Sequence, residues 1–119
     1  MLRRLLVLAF WGAMLFAYVA ALLPSEEAPS ISGWDKMNHM IAFFVLTLLG
    51  RLAYPALRIR SLVVGLALFA VVIELSQAVP IIHRDADVMD VVADMAAVLL
   101  ALLIAWPITS WLTWRSRQP

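Results

Sequence analysis

With 119 residues, 65% of them hydrophobic and only 14% charged, the chain departs far from a soluble domain, which is about 45–50% apolar and about 25% charged. Its formal charge of +1 gives no reason to expect a nucleic-acid partner. The absence of cysteine removes thiol nucleophiles, disulfides and thiolate metal sites, so a metal would need His, Asp or Glu. A hydrocarbon core of about 30 Å needs about 20 apolar residues per helix. Four such runs with short connections fill residues 1–119 as one domain, so the expected class is all-α: a polytopic membrane protein with four transmembrane helices.

Helix 1 is expected over about residues 5–23, with Arg3 and Arg4 held inside by the positive-inside tendency. A secretory signal is the rival reading. The apolar run exceeds the roughly 7–15 residues of a signal core, and Leu22-Leu23-Pro24-Ser25 lacks a small-residue cleavage pattern. Pro24 to Gly33 then reads as an outer loop by its proline, serine and glycine, with Glu26 and Glu27 outside.

Ser32-Gly-Trp-Asp35 has the spacing of a capping box, with Ser32 as N-cap, so helix 2 is expected over about 33–54. Trp34 falls where an interfacial aromatic would sit. Arg51, Arg58 and Arg60 place the next turn in the cytoplasm, and helix 3 follows over about 61–79. Pro80 ends it, because the ring removes a donor and clashes with continued helix. A short loop through Asp85 then makes helices 3 and 4 an antiparallel hairpin. Helix 4 is expected over about 86–106, ended or kinked by Pro107. The tail 107–119 carries Trp111, Trp114, Arg115 and Arg117 as an inner interfacial anchor. In this N-in, C-in arrangement only Lys36 and Arg84 are outer cations, while all eight acids lie in outer loops or outer helix ends.

No G-x-x-x-G occurs, so close helix approach would come from alanine, with Ala93, Ala97 and Ala101 forming a small-residue stripe. Alanine is also simply common in membrane helices.

The chemistry concentrates between Glu74 and Asp94. At 1.5 Å per residue, Glu74 lies about 8 Å below Val79, and Asp90 and Asp94 about 5–12 Å below the start of helix 4. His39 is one turn into helix 2, at similar depth. Residues three or four apart share a face, so Asp35 with His39, Glu74 with Gln77, and Asp87 with Asp90 and Asp94 form three polar stripes that should face one another. Two aspartates in helix 4 cost about 5–7 kcal/mol to insert, which its aliphatic residues, at about −0.3 to −0.6 each, only roughly offset. The nearby cations Lys36, His39 and Arg84 are too few for six acids. Either some carboxyls keep their protons or a cation completes the site.

Each residue also has a structural reading. Asp35 and Asp87 suit helix N-termini. His39 serves equally as an interhelical hydrogen-bonding group or a general base. Lys36 and Arg84 either snorkel or clamp a phosphate, and Asp90 and Asp94 are candidate partners for Arg84 and His39. Glu74 and Gln77 have the weakest structural excuse, since neither starts helix 3. A divalent metal on His39, Glu74 and Asp90 or Asp94 is chemically sensible but matches no standard spacing. Ser76 lacks the oriented base of a nucleophile.

Asp35-Lys36-x-x-His39, Glu74-x-x-Gln77 and Arg84-x-x-Asp87-x-x-Asp90-x-x-x-Asp94 together resemble the motif set of the VanZ-like family of small bacterial membrane proteins, in the same order and on the same helices. The resemblance covers about residues 34–101. It departs at Asp94, where the family usually has asparagine, and at Ala97 and Ala101, where glycines are common. It implies a multi-pass protein of the bacterial cytoplasmic (inner) membrane, in the cell envelope, and a link to antibiotic resistance through teicoplanin tolerance.

The functional expectation is an outward-facing polar pocket that binds, and in an enzymatic form modifies, a polar or phosphate-bearing envelope ligand such as a lipid-linked cell-wall precursor or lipid headgroup. Lys36 and Arg84 would hold the anion. His39 and Glu74 would be the catalytic pair, with Asp35, Gln77, Asp87, Asp90 and Asp94 binding or orienting. The alternatives are proton- or cation-coupled transport by the same carboxyls, and a structural or regulatory subunit. No charge continues past Arg51 through a broken helix, as transporter sites often require.

Overall fold

A computed structural model describes residues 1–24, 26–28, 33–115 and 117–119. These form four α-helices: α1 (Leu2–Leu22), α2 (Asp35–Ala53), α3 (Ile59–Gln77) and α4 (Val88–Arg115), with a 3₁₀ turn at Pro80–Ile82 before α4. Proline punctuates the chain as the sequence suggests. Tyr54 before Pro55 and Val79 before Pro80 both leave the helical region, at ψ 66° and 123°, because the proline ring crowds the preceding backbone.

Helix ends shift by a few residues throughout, and two of the differences matter. The Ser32 cap lies outside the described residues, and α2 itself begins at Asp35 after an extended Trp34 with no side-chain cap. More consequentially, α4 runs straight through Pro107 to Arg115, so residues 107–115 continue the helix and are no separate tail. Proline costs one intrahelical donor, a loss that membrane helices tolerate with help from hydroxyl side chains. Thr109, two residues on, donates its hydroxyl to the carbonyls of Ala105 and Trp106 at 3.0 and 3.2 Å.

The helices alternate in direction. Gln77 Nε2 donates to the Ala21 carbonyl at 2.9 Å, joining the C-terminal ends of α1 and α3. Lys36 at the start of α2 meets Asp87 and Asp90 at the start of α4. Toward the opposite end, Trp11 Nε1 donates to the Tyr54 hydroxyl at 2.8 Å. There a Cβ on Gly50 would stand 2.8 Å from Leu62 Cδ1 and 3.1 Å from Phe10 Cε2, so glycine is what lets α1, α2 and α3 close together.

The core is Phe43, Leu46, Leu66, Ile73 and Val98, all essentially fully buried. The α2–α4 contact is the most extensive, and Ala97 and Ala101 on α4 are buried, in keeping with small residues at close helix contacts. By contrast α1 buries only Phe10 and Ala21. Leu6, Val7, Ala13, Met14 and Ala17 pack against the core half-buried, and Tyr18 shares a 2.9 Å hydrogen bond with Ser76.

Large apolar side chains cover the outside, among them Leu8, Leu15, Leu68, Leu75 and Leu103. Three helices are long and apolar enough to cross a bilayer: α1, α3 and Val88–Trp111 of α4. The molecule is a helical membrane protein. α2, which opens on Asp35, Lys36, Asn38 and His39, does not meet that measure of length and apolarity.

Candidate functional site

The polar residues gather at the end where α1 and α3 finish and α2 and α4 begin. Helical periodicity turns His39 inward from α2, Glu74 and Gln77 from α3, and Asp90 and Asp94 from α4. These five and Thr47 are buried polar residues among those described. His39 Nδ1 stands 3.9 Å from Asp94 Oδ2 and Nε2 stands 3.8 Å from Asp35 Oδ2, both beyond hydrogen-bond reach. Glu74 lies within electrostatic reach of His39, Asp90 and Asp94.

Lys36 closes this cluster from above. Its ammonium bonds Asp90 Oδ1 and lies 3.4 Å from Asp87 Oδ2. Asp87 is the N-cap of α4: its Oδ1 accepts the Met89 backbone N–H at 2.9 Å, as a cap residue does for the second helical donor. That bond first, and Lys36 second, holds the Asp87 carboxyl below its ordinary range. The Asp87 backbone N–H in turn donates to Glu74 Oε2 at 2.8 Å, so Glu74 ties the end of α3 to the start of α4.

Arg84 behaves differently from expectation. Asp90 pairs with Lys36, and Arg84 instead turns back toward α1 and α2. It donates from Nη1 to the Leu23 carbonyl at 2.8 Å and from Nη2 to Asp35 Oδ1 at 2.9 Å. Its side chain is only 4% exposed. The backbone explains the turn: His83 takes a left-handed conformation (φ 54°, ψ 42°) at the end of the 3₁₀ turn, which reverses the chain just before Arg84. Both expected anion-binding cations are therefore already engaged with carboxylates.

Gln77 is likewise committed through its amide nitrogen to Ala21, a docking contact for α1. Ser76 hydrogen-bonds Val72 and Tyr18, so its hydroxyl serves helix packing. Asp35 remains largely exposed at the rim.

Four buried oxygens have no hydrogen-bond partner among the described residues: Glu74 Oε1, Gln77 Oε1 and both carboxylate oxygens of Asp94. No family model, curated protein or solved structure matches this chain. The site must be understood from its own geometry. Unpartnered buried acceptors cost about 1–3 kcal/mol each, so α3 and α4 hold acceptor capacity at an energetic penalty. Among the described residues, no three His, Asp or Glu side chains group closely enough to hold a metal ion.

A second feature is one the sequence analysis did not anticipate. A cavity of about 360 Å³ runs between α1 and α2, and its polar end is formed by Asp35, Asn38, His39 and Arg84. Asn38 belongs to it. The only sequence signal was its place beside His39 in the one polar turn of an otherwise apolar helix.

Proposed function

We propose that this chain is a VanZ-like multi-pass protein of the bacterial cytoplasmic membrane whose polar end faces outward and binds a polar or phosphate-bearing envelope ligand, such as a lipid-linked cell-wall precursor. All four helices span in this reading, with both termini inside. The placement of acids at the polar end, and of Arg51, Arg58 and Arg60 at the other, supports that orientation.

The observation that carries the reading is Asp94, wholly buried, beside His39, with both carboxylate oxygens unpartnered. Ionisable groups kept at membrane depth are functional by default, and acceptors left without donors are capacity for a ligand's hydroxyl or amide hydrogens. A phosphate arriving at the rim would compete with Asp35 and Asp87 for Arg84 and Lys36. His39 and Glu74 stand inside that rim, where a proton can be taken up or delivered. Binding is the core of the reading, and modification of the ligand is its enzymatic form.

The test is envelope physiology in a host that carries the protein. Glu74→Gln, His39→Ala and Arg84→Ala should each change teicoplanin tolerance or the pools of lipid-linked intermediates while inserting normally. Normal insertion with neither readout altered would sink the proposal.

The same unpartnered oxygens favour one second reading, in which Glu74 and Asp94 carry protons. No acid lies in the opposite half of the bundle to continue a path. Proton flux in proteoliposomes that requires Glu74 would make this the better account.

A further inference from the structure

The cavity beside the cluster is apolar along its length and polar at one end. Ala13, Phe16, Ala17 and Ala20 line its α1 wall, and Ile41, Ala42 and Val45 its α2 wall, with Ile73 of α3 behind. The alanines leave the space that larger side chains would fill. From Ala13 to Ala21 the groove follows α1 for about 12 Å, close to the roughly 15 Å depth of one leaflet's half of the hydrocarbon core. Its volume of about 360 Å³ lies near the small end of ligand sites, about 300–1,000 Å³. That is far too little for a partner helix, whose diameter is about 10–12 Å. Water is no better an occupant, because apolar cavities stay dry.

We propose that this groove seats one acyl chain of an anionic phospholipid, with the phosphate at the rim of Asp35, Asn38, His39 and Arg84. The inference rests on the reading above of a polar or phosphate-bearing envelope ligand and narrows it to a phospholipid that enters sideways from the bilayer, in place of the lipid-linked precursor given there as an example. Three relationships carry it. The groove is continuous with the polar site through His39, which lines both. Its lining residues Phe16 and Val45 are exposed on the apolar outer surface, the side that faces lipid. The rim holds Arg84, whose guanidinium bonds the Leu23 carbonyl and Asp35, and a lipid phosphate would take the place of the exposed Asp35 carboxylate on that guanidinium. An unbranched chain matches a slot walled by alanine better than a methyl-branched isoprenoid longer than one leaflet.

The full chain in nanodiscs of phosphatidylcholine, doped with phosphatidylglycerol carrying a photoreactive group midway along one acyl chain, gives a direct test. After irradiation, mass spectrometry should find adducts concentrated on residues 13–21 and 38–46. Ala17→Leu and Ala42→Leu, which fill the groove from opposite walls, should each abolish those adducts while helicity and Tm are kept. Competition in the unaltered protein requires no variant: unlabelled phosphatidylglycerol should suppress the adducts and phosphatidylcholine should not. Adducts spread evenly over exposed positions such as Leu68 and Leu103, or suppression by polyprenyl phosphate but not by phosphatidylglycerol, would overturn the proposal. Glu74→Gln should leave groove labelling intact. If labelling fails while Glu74→Gln still alters the envelope phenotype, the polar site stands without this chain; labelling without any such phenotype leaves a lipid seat and removes the function proposed for the cluster.

Discussion

His39 and Asp94 face each other across the α2–α4 contact at 3.9 Å, too far for a hydrogen bond and too close for either to ignore the other's charge. The arrangement is strained in the energetic sense, because Asp94 is fully buried and neither of its oxygens is satisfied. Asp94→Asn keeps the volume and removes the charge. It should raise stability, because the amide still carries polar atoms to satisfy but drops the larger cost of burying a charge. Thermal unfolding in detergent, followed by tryptophan fluorescence, would show this as a higher Tm. A lower Tm would mean that Asp94 is held by an interaction the geometry lacks.

Arg84 is the staple of the polar end. Arg84→Ala strands the Leu23 carbonyl and frees Asp35. Because Asp35 is largely exposed, that half of the contact is worth little, and the buried carbonyl bond dominates. The loss should be about 1.5–3 kcal/mol. Arg84→Lys should recover only part of it, since one ammonium cannot reach two divergent acceptors as the guanidinium fork does. Tm of the two variants, with hydrogen exchange across residues 79–87, checks both statements. Full rescue by lysine would show that charge, not geometry, is what matters.

Asp87 makes a pH prediction with a definite sign. Its folded-state pKa is depressed, first by the Met89 N–H and then by Lys36. The cap therefore contributes above the unfolded value of about 3.9 and is lost as pH falls through the lower folded value. Met89 amide protection, corrected for intrinsic exchange, should stay constant from neutral pH into the mildly acidic range and fall only in stronger acid. Asp87→Asn should keep most of the protection at neutral pH, because asparagine also caps helices.

Which parts of this site could be read in advance follows from what periodicity can and cannot encode. His39, Glu74, Asp90 and Asp94 do converge, because a fixed rise and a fixed turn angle per residue place each at one depth and on one face. Arg84 and Gln77, expected as ligand-binding groups, also reach back to the end of α1, and no helical repeat specifies that. The deciding feature is a 3₁₀ turn with His83 in a left-handed conformation, a loop geometry set by packing. Likewise Pro107 was expected to end or kink helix 4, but its cost is one donor and the helix runs on past it to Arg115. The α1–α2 groove was invisible because it is made of missing volume: alanines mean nothing until the opposing wall is known.

The close contact at Gly50 also sets a limit. Gly50→Ala gains up to about 1 kcal/mol in helix propensity, but its Cβ would meet the ends of Leu62 and Phe10 at 2.8 and 3.1 Å. Both neighbours are side-chain tips that can yield, so the change should be near neutral. Gly50→Leu has no such escape, and overpacking of that kind costs about 1–3 kcal/mol. Tm should therefore separate the two variants clearly, and equal Tm values would show that α1 is free to move away.

Because the chain contains no cysteine, its orientation can be measured with single introduced thiols. The proposed topology puts Glu27 and Asp85 outside and Arg58 and Arg117 inside. The charges argue for this: Arg3, Arg4, Arg51, Arg58, Arg60, Arg115 and Arg117 would all be cytoplasmic, whereas only Lys36 and Arg84 would be outside, and both of these are tied to carboxylates. In intact cells a membrane-impermeant maleimide should label Glu27→Cys and Asp85→Cys at once, and Arg58→Cys only after permeabilisation. The hairpin carrying Asp85 is the sensitive arm. If Asp85→Cys were protected while Glu27→Cys reacted, α3 and α4 would not both span, the polar end would not face outward as a unit, and the ligand could not reach it from the envelope side.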